Sequence, residues 1–230
     1  MKKIGMIGGF GPESTIDYYR IMIEQYRLLQ GDESLPEIFI YSMDIYNLLN
    51  MVGEERWDDL IEYLLKGIDT LYRAGADFGI ISANTPHIVF NKLKCLSPIP
   101  LVSIIEETSK KAKEIGLHKV GLLGTSFTMR SSFYQDVFSN DNISVVVPRE
   151  KEQDYIQHKL MTEIELGEFH EATRKGLLTI VKRMIDEESI QGLVLGCTEL
   201  PLILTKDAFG IPFLNTTKIH VDSAIRYCLS

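Results

Sequence analysis

The sequence has little cysteine, one tryptophan and no clustered positive charge, and each shortage removes a class of protein. Three cysteines, Cys95, Cys197 and Cys228, lie far apart with no CxxC spacing. That is neither a disulfide framework nor a cysteine metal site. A formal net charge of −8 without a basic block argues against a nucleic-acid backbone or an anionic membrane as partner. The opening MKKIGMIGG reaches glycine within a few residues and has no apolar core of signal-peptide length, so a cytoplasmic protein is expected. What remains is an ordinary globular chain: 230 residues, 45% hydrophobic and 24% charged, long enough to bury one large core or two small ones.

Short apolar runs rich in β-branched residues alternate with long amphipathic stretches. KIGMIG, EIFIYSM, FGIIS, IPLVSI, KVGLLG, ISVVVP, QGLVLG and IPFLN read as strands. TIDYYRIMIEQYRLLQ, WDDLIEYLLKGIDTLYRAG, EETSKKAKEIG, two stretches from about Lys151 to Glu187, and the chain's last segment read as helices. This is the βαβ rhythm of a parallel sheet. Gly75, Gly116 and Gly210 stand where helices should stop, as C-cap glycines do. A weak repeat runs through the chain. KIGMIGG at 3–9 resembles KVGLLGT at 119–125, an offset of 116, and Ala83 after one strand corresponds to Cys197 after another, an offset of 114. Two similar α/β halves are expected, residues 1–105 with 206–230 and residues 106–205. Ligands of open parallel sheets sit beyond the carboxyl ends of the strands, so the expected site is the cleft between the halves.

Four stretches could carry chemistry. GGFGPEST, with Gly8, Gly9 and Gly11, is a glycine-rich strand-to-helix turn whose helix should begin at Ser14 or Thr15, where free backbone N–H groups favour an anion. Lacking GxGxxG or GK[ST], it is a poor dinucleotide or P-loop motif, and a tight turn needing positive φ explains it equally well. Asn84 and Thr85 offer an amide and a hydroxyl to a small carboxylate, or form a local cap; Thr125 and Thr128 in GTSFT hold the matching strand end with the same two readings. His87 is by default a structural hydrogen-bonding residue. Cys197 in LGCTELP stands at a strand end beside Thr198 and Glu199, with a helix just after it, a position that can lower a thiol pKa. A buried core cysteine is the alternative, one that fits Cys95 and Cys228 better.

Taken in order, GGFGPEST, ANTPH and GCTELP resemble the aspartate/glutamate racemase superfamily over essentially the whole chain. The resemblance implies two similar α/β domains, no pyridoxal phosphate or metal, a homodimer, and a small amino acid as substrate. It also implies two cysteines that flank the substrate, one thiolate taking the α-proton from one face and one thiol returning a proton from the other. Donors on the carboxylate, Asn84, Thr85, Thr125 and Thr198, would stabilise the carbanion-like transition state, with the glycines supplying backbone. Cys197 matches the second cysteine; Ala83 occupies the place of the first. Three explanations compete: a replacement introduced to trap substrate, a branch that uses one cysteine with Ser82, a threonine or water as the weaker partner, or single-cysteine carbanion chemistry such as arylmalonate decarboxylation. A binding protein that kept the site without turnover is a further alternative. Members selective for aspartate place a basic residue after the second strand; IYSMDIYNLL has Asp44 there, leaving Lys159 or Arg130 to stand in.

Overall fold

The computed structural model describes all 230 residues. In chain order the elements are β1 (Ile4–Gly8), α1 (Pro12–Gln30), β2 (Ile38–Ser42), α2 (Ile45–Gly53), α3 (Trp57–Ala74), β3 (Phe78–Ile81), α4 (Phe90–Leu96), β4 (Leu101–Val102) and α5 (Ile104–Glu114). They continue with β5 (Lys119–Leu123), α6 (Ser126–Arg130), α7 (Phe133–Ser139), β6 (Ser144–Val146), α8 (Glu150–Thr162), α9 (Glu171–Glu188), β7 (Gly192–Leu195), α10 (Leu200–Ile203), β8 (Phe213–Asn215) and α11 (Thr216–Leu229). Every run read as a strand from its apolar pattern is a strand. The sheets are parallel and of identical order, β2-β1-β3-β4 and β6-β5-β7-β8. The fold is thus α/β with two similar four-stranded parallel sheets.

Two compact units hold one sheet each: residues 1–107 with 217–230, and residues 108–216. This corrects the expected return at residue 206. The backbone of β8 pairs in parallel with β7, Leu195 opposite Asn215, so residues 206–216 complete the second sheet before the chain goes back. Gly210 is likewise not a helix stop. Phe209 and Gly210, both at positive φ, form the turn that pairs Ala208 with Ile211, whereas Gly75 and Gly116 do lie in the left-handed region just past α3 and α5.

In the first unit, β1 alternates its faces. Ile4 and Met6 pack with Tyr18, Met22 and Tyr26 of α1 and with Val221, Ala224, Ile225 and Cys228 of α11. Ile7 points the other way, towards Gly67 of α3, where a Cβ would lie 3.2 Å from its Cδ1. Strands covered on both faces need apolar residues at every position, which is why β1 and β3 are buried throughout. The second unit builds its core from Leu123, Ile156, Leu160, Leu177, Val181, Leu193 and Leu195, and Cys197 is a buried member of the same cluster. No helix is long and apolar enough to cross a membrane.

Candidate active site

The register of the sheets turns the internal repeat into a structural equivalence. Ile7 pairs with Ile81 in the first sheet, and Leu123 with Leu195 in the second. β3 ends at Ile81 and β7 at Leu195, so Ala83 and Cys197 each stand two residues past the end of the corresponding strand. By the same count Asn84 matches Thr198, and Thr85 matches Glu199.

In the first unit the glycines serve the turn. Gly9 has φ 86°, and a Cβ there would fall 2.2 Å from the Met43 carbonyl oxygen. Gly11, at φ 131°, caps α1, which starts at Pro12 rather than at Ser14 or Thr15. Proline suits the first helical position because its φ is preset and its missing N–H has no helical partner to lose. The Ser14 and Thr15 hydroxyls both donate to the Gly11 carbonyl, and the Gly9 N–H donates to Thr15 Oγ1 at 2.9 Å. That N–H is therefore engaged within the turn. Gly8 closes β1, and a Cβ there would meet Thr15 Cγ2 at 2.6 Å.

At the end of β3 the fully buried Ser82 donates its hydroxyl to the Ile7 carbonyl at 3.0 Å. Its side chain is tied to β1. Ala83 is buried and inert, and its carbonyl accepts from His87 Nδ1 at 3.0 Å. His87 Nε2 in turn accepts the Ile104 N–H at 3.4 Å, so the ring carries its proton on Nδ1. Burial and the neighbouring His220 push the His87 pKa down to about 3. The imidazole is a neutral brace for the turn, which is the structural role expected of it. Sequence reasoning missed His220, whose ring accepts from Tyr18 and donates to the Val102 carbonyl, each at 2.9 Å.

In the second unit Thr125 caps α6, its Oγ1 accepting from the Thr128 N–H at 3.3 Å with the Thr128 hydroxyl 3.1 Å away. The two threonines follow the local-cap reading. Cys197 is buried, and its thiol donates to Glu199 Oε2 at 3.0 Å. The same oxygen accepts from Thr198 Oγ1 at 2.8 Å. This overturns the expectation of a lowered thiol pKa. Burial first, then the Glu199 charge and its hydrogen bond to the thiol, with Glu165 adding to them, hold the Cys197 pKa well above its ordinary value. The start of α10 does not outweigh a carboxylate in direct contact.

Glu165, on the short turn Ile164–Leu166, escaped sequence reasoning because a glutamate in an ELGE segment looks like surface. Partial burial of its carboxyl and repulsion from Glu199 raise it to about 7. Tyr134 is fully buried near Cys197. The two candidate cations are engaged: Lys159 pairs with Glu163, and Arg130 with Asp154 at 2.8 Å and Gln153 at 3.3 Å. Asp44 caps α2 through the Tyr46 N–H. Of the remaining cysteines, Cys228 is buried and donates to the Lys2 carbonyl, but Cys95 is exposed on the last turn of α4, not a core residue.

Residues 7–224 match the Asp/Glu/Hydantoin racemase family. The chain belongs to that family. By family it is an isomerase. The broad specificity amino-acid racemase RacX of Bacillus subtilis is 24% identical over 225 residues, covering 96% of each chain. The crystal structure of an aspartate racemase homologue from Pyrococcus horikoshii OT3 superposes with a TM-score of 0.87 at 32% identity, over the whole of both chains. The aspartate racemase of Picrophilus torridus, at 23% identity and TM-score 0.79 over 98% of this chain and 94% of that one, shows the shared fold.

Proposed function

We propose that the protein moves protons at the α-carbon of a small amino acid, as a racemase that uses no pyridoxal phosphate, with Cys197 as the acid and base on one face. The observation that carries this reading is the Cys197 thiol hydrogen-bonded to Glu199 at 3.0 Å, two residues past the end of β7. For α-proton removal the thiol proton passes to Glu199 Oε2, the thiolate takes the α-hydrogen, and the substrate is left as a carbanion delocalised into its carboxylate. The thiol, having traded protons with solvent by way of Glu199, then returns one to the same face. Asn84 and Thr85 are the proposed donors to that carboxylate, with Thr198 beside the thiol; Gly8, Gly9 and Gly11 shape the turn after β1, and Thr125 caps α6 after β5.

Inversion needs a donor on the opposite face, and the equivalent position holds the methyl group of Ala83. Ser82 does not replace it, because its hydroxyl is bonded to the β1 backbone. The reading therefore expects α-hydrogen exchange with retention to outrun inversion. Incubation of single enantiomers in deuterated water tests it: deuterium should enter the starting enantiomer faster than the opposite enantiomer appears, and the Cys197→Ser variant should incorporate none. Absence of exchange from every amino acid tried would contradict the assignment.

The resting protonated thiol favours one second reading. A thiol ready to donate, facing no opposing acid, suits delivery of a proton to one face of an enediolate left when a disubstituted malonate loses carbon dioxide. Decarboxylation giving one enantiomer, without amino-acid exchange, would select it. A cytoplasmic homodimer is the proposed setting, and the solution mass from sedimentation tests the dimer.

A further inference from the structure

We infer that Tyr18 of α1 and His220 of α11 are positioning residues for the turn that carries Ala83 and Asn84, acting through the backbone of residues 102–104 and through His87. The part this turn plays in proton transfer rests on the racemase reading; the geometry that holds it does not. Five histidines occur in the chain. The two that are buried, His87 and His220, both lie in the first unit, with ring centroids 6.4 Å apart. Burying a polar ring without partners is costly, so what the ring nitrogens meet decides what the pair does.

Every ring nitrogen is matched. His220 Nε2 faces the Val102 carbonyl at 2.9 Å and so carries the proton, which leaves Nδ1 to accept the Tyr18 hydroxyl at 2.9 Å. His87 has the opposite tautomer: Nδ1 donates to the Ala83 carbonyl and Nε2 accepts the Ile104 N–H. The two imidazoles thus grip the carbonyl of residue 102 and the amide of residue 104. β4, the edge strand that ends at Val102, is two residues long and pairs with β3 through Gly79 and Ile80, so it gives this segment little support of its own. The last link fixes the peptide between Ala83 and Asn84: its carbonyl is held by His87, and a planar trans peptide points the Asn84 N–H the opposite way. A fully satisfied buried network specifies one arrangement, and removing a distant member leaves a buried atom unpaired and loosens the rest. The strand order does not itself call for this device. In the second unit, which has the same order, the Thr216 hydroxyl donates to the Leu195 carbonyl at the end of β7, and no histidine is buried.

A thiol placed in the turn reports on it without turnover. Ala83→Cys in a Cys95→Ser background supplies one, with Cys197 in the other unit as internal reference, and the mass of each peptide after iodoacetamide treatment gives its rate. Tyr18→Phe removes one hydroxyl, and His220→Ala the whole ring. Alkylation at residue 83 is expected to rise about fivefold in each, the factor that losing about 1 kcal/mol of hydrogen bonding produces, with the Cys197 rate unchanged. His220→Gln, whose amide N–H can take the place of Nε2 at Val102, should bring the rate at residue 83 back towards the reference. An unaltered rate at residue 83 in Tyr18→Phe overturns the inference, as does a His220→Gln rate no lower than that of His220→Ala. Rates at 83 and 197 that rise together, the mark of general loosening, overturn it too. If His220→Ala does not fold, Tyr18→Phe decides alone. α-Hydrogen exchange is measured for Tyr18→Phe with Ala83 in place: kcat should fall about tenfold, within what a small misplacement of a binding group costs, while KM moves less. If no amino acid exchanges in any protein yet the rate at residue 83 responds, the racemase reading fails and the positioning stands. If the wild type exchanges and Tyr18→Phe exchanges as fast, the racemase reading stands and the inference falls.

Discussion

Replacing Glu199 by glutamine keeps the side-chain shape and removes the charge that holds the Cys197 proton. In the wild type the thiol donates to Oε2 at 3.0 Å, and both residues are buried, so water screens the pair poorly. A hydrogen bond to a charged acceptor stabilises the donor by about 1.5–3 kcal/mol. Repulsion between a thiolate and the carboxylate at that separation sets a ceiling near about 5 kcal/mol for an effective dielectric of about 20. Taking about 2 kcal/mol, the thiolate fraction at neutral pH rises about 30-fold. A more acidic thiol is also a weaker nucleophile, with a slope of about one half, so the alkylation rate should rise about fivefold. Burial still acts on the thiol, so its pKa stays above the ordinary value. The assay is the pH dependence of alkylation by iodoacetamide, in a Cys95→Ser background because Cys95 is exposed. An unchanged or slower rate in Glu199→Gln would refute the account of how the thiol is kept protonated.

Two further outcomes follow from the first unit. Gly9→Ala forces a Cβ to 2.2 Å from the Met43 carbonyl oxygen in a left-handed conformation, which should cost about 3 kcal/mol and lower Tm by about 10 °C; a Tm within about 2 °C of wild type would show the turn to be slack. His87 and His220, held down to about 3 and about 4, are neutral in the folded state while the unfolded chain binds protons below the usual histidine range. Stability should therefore be full above about pH 6.5 and fall as pH drops towards 4, each imidazole contributing a loss of up to about 2.5 kcal/mol by pH 4.5. Urea unfolding at pH 7 and pH 4.5 measures it, and equal midpoints would contradict the buried, neutral assignment.

Much of the fold is legible in the sequence because parallel strands covered on both faces, such as β1, β3 and β7, must be apolar along their length, and the partly buried edge strands β2 and β6 keep short apolar, β-branched runs. The repeat was legible too, since equivalent strands occupy equivalent environments. The unit boundary was not: that residues 206–216 belong to the second sheet depends on β8 pairing with β7, a long-range choice that local composition does not encode. The start of α1 was misplaced because Ser14 and Thr15 look like caps, while Gly11 and Pro12 do that work. At the site, the positions of Cys197 and Ala83 could be read from spacing. The state of the thiol could not, because a helix start and a neighbouring glutamate push its pKa in opposite directions and only the 3.0 Å contact decides between them. Cys95 was misread because an apolar helical stretch does not say which of its faces is buried.

The proposed function makes residues 83 and 197 the two proton-transfer positions, with a methyl group where residue 83 would need an acid. Circular dichroism of enantiopure substrate incubated with Ala83→Cys, alone and combined with Cys197→Ser, tests it most directly. The single variant should gain inversion by about 100-fold or more, within the usual contribution of one positioned acid, and the double variant should lose it. Inversion that persists without the sulfur of residue 197, or a restored cysteine at 83 that changes nothing, would contradict it.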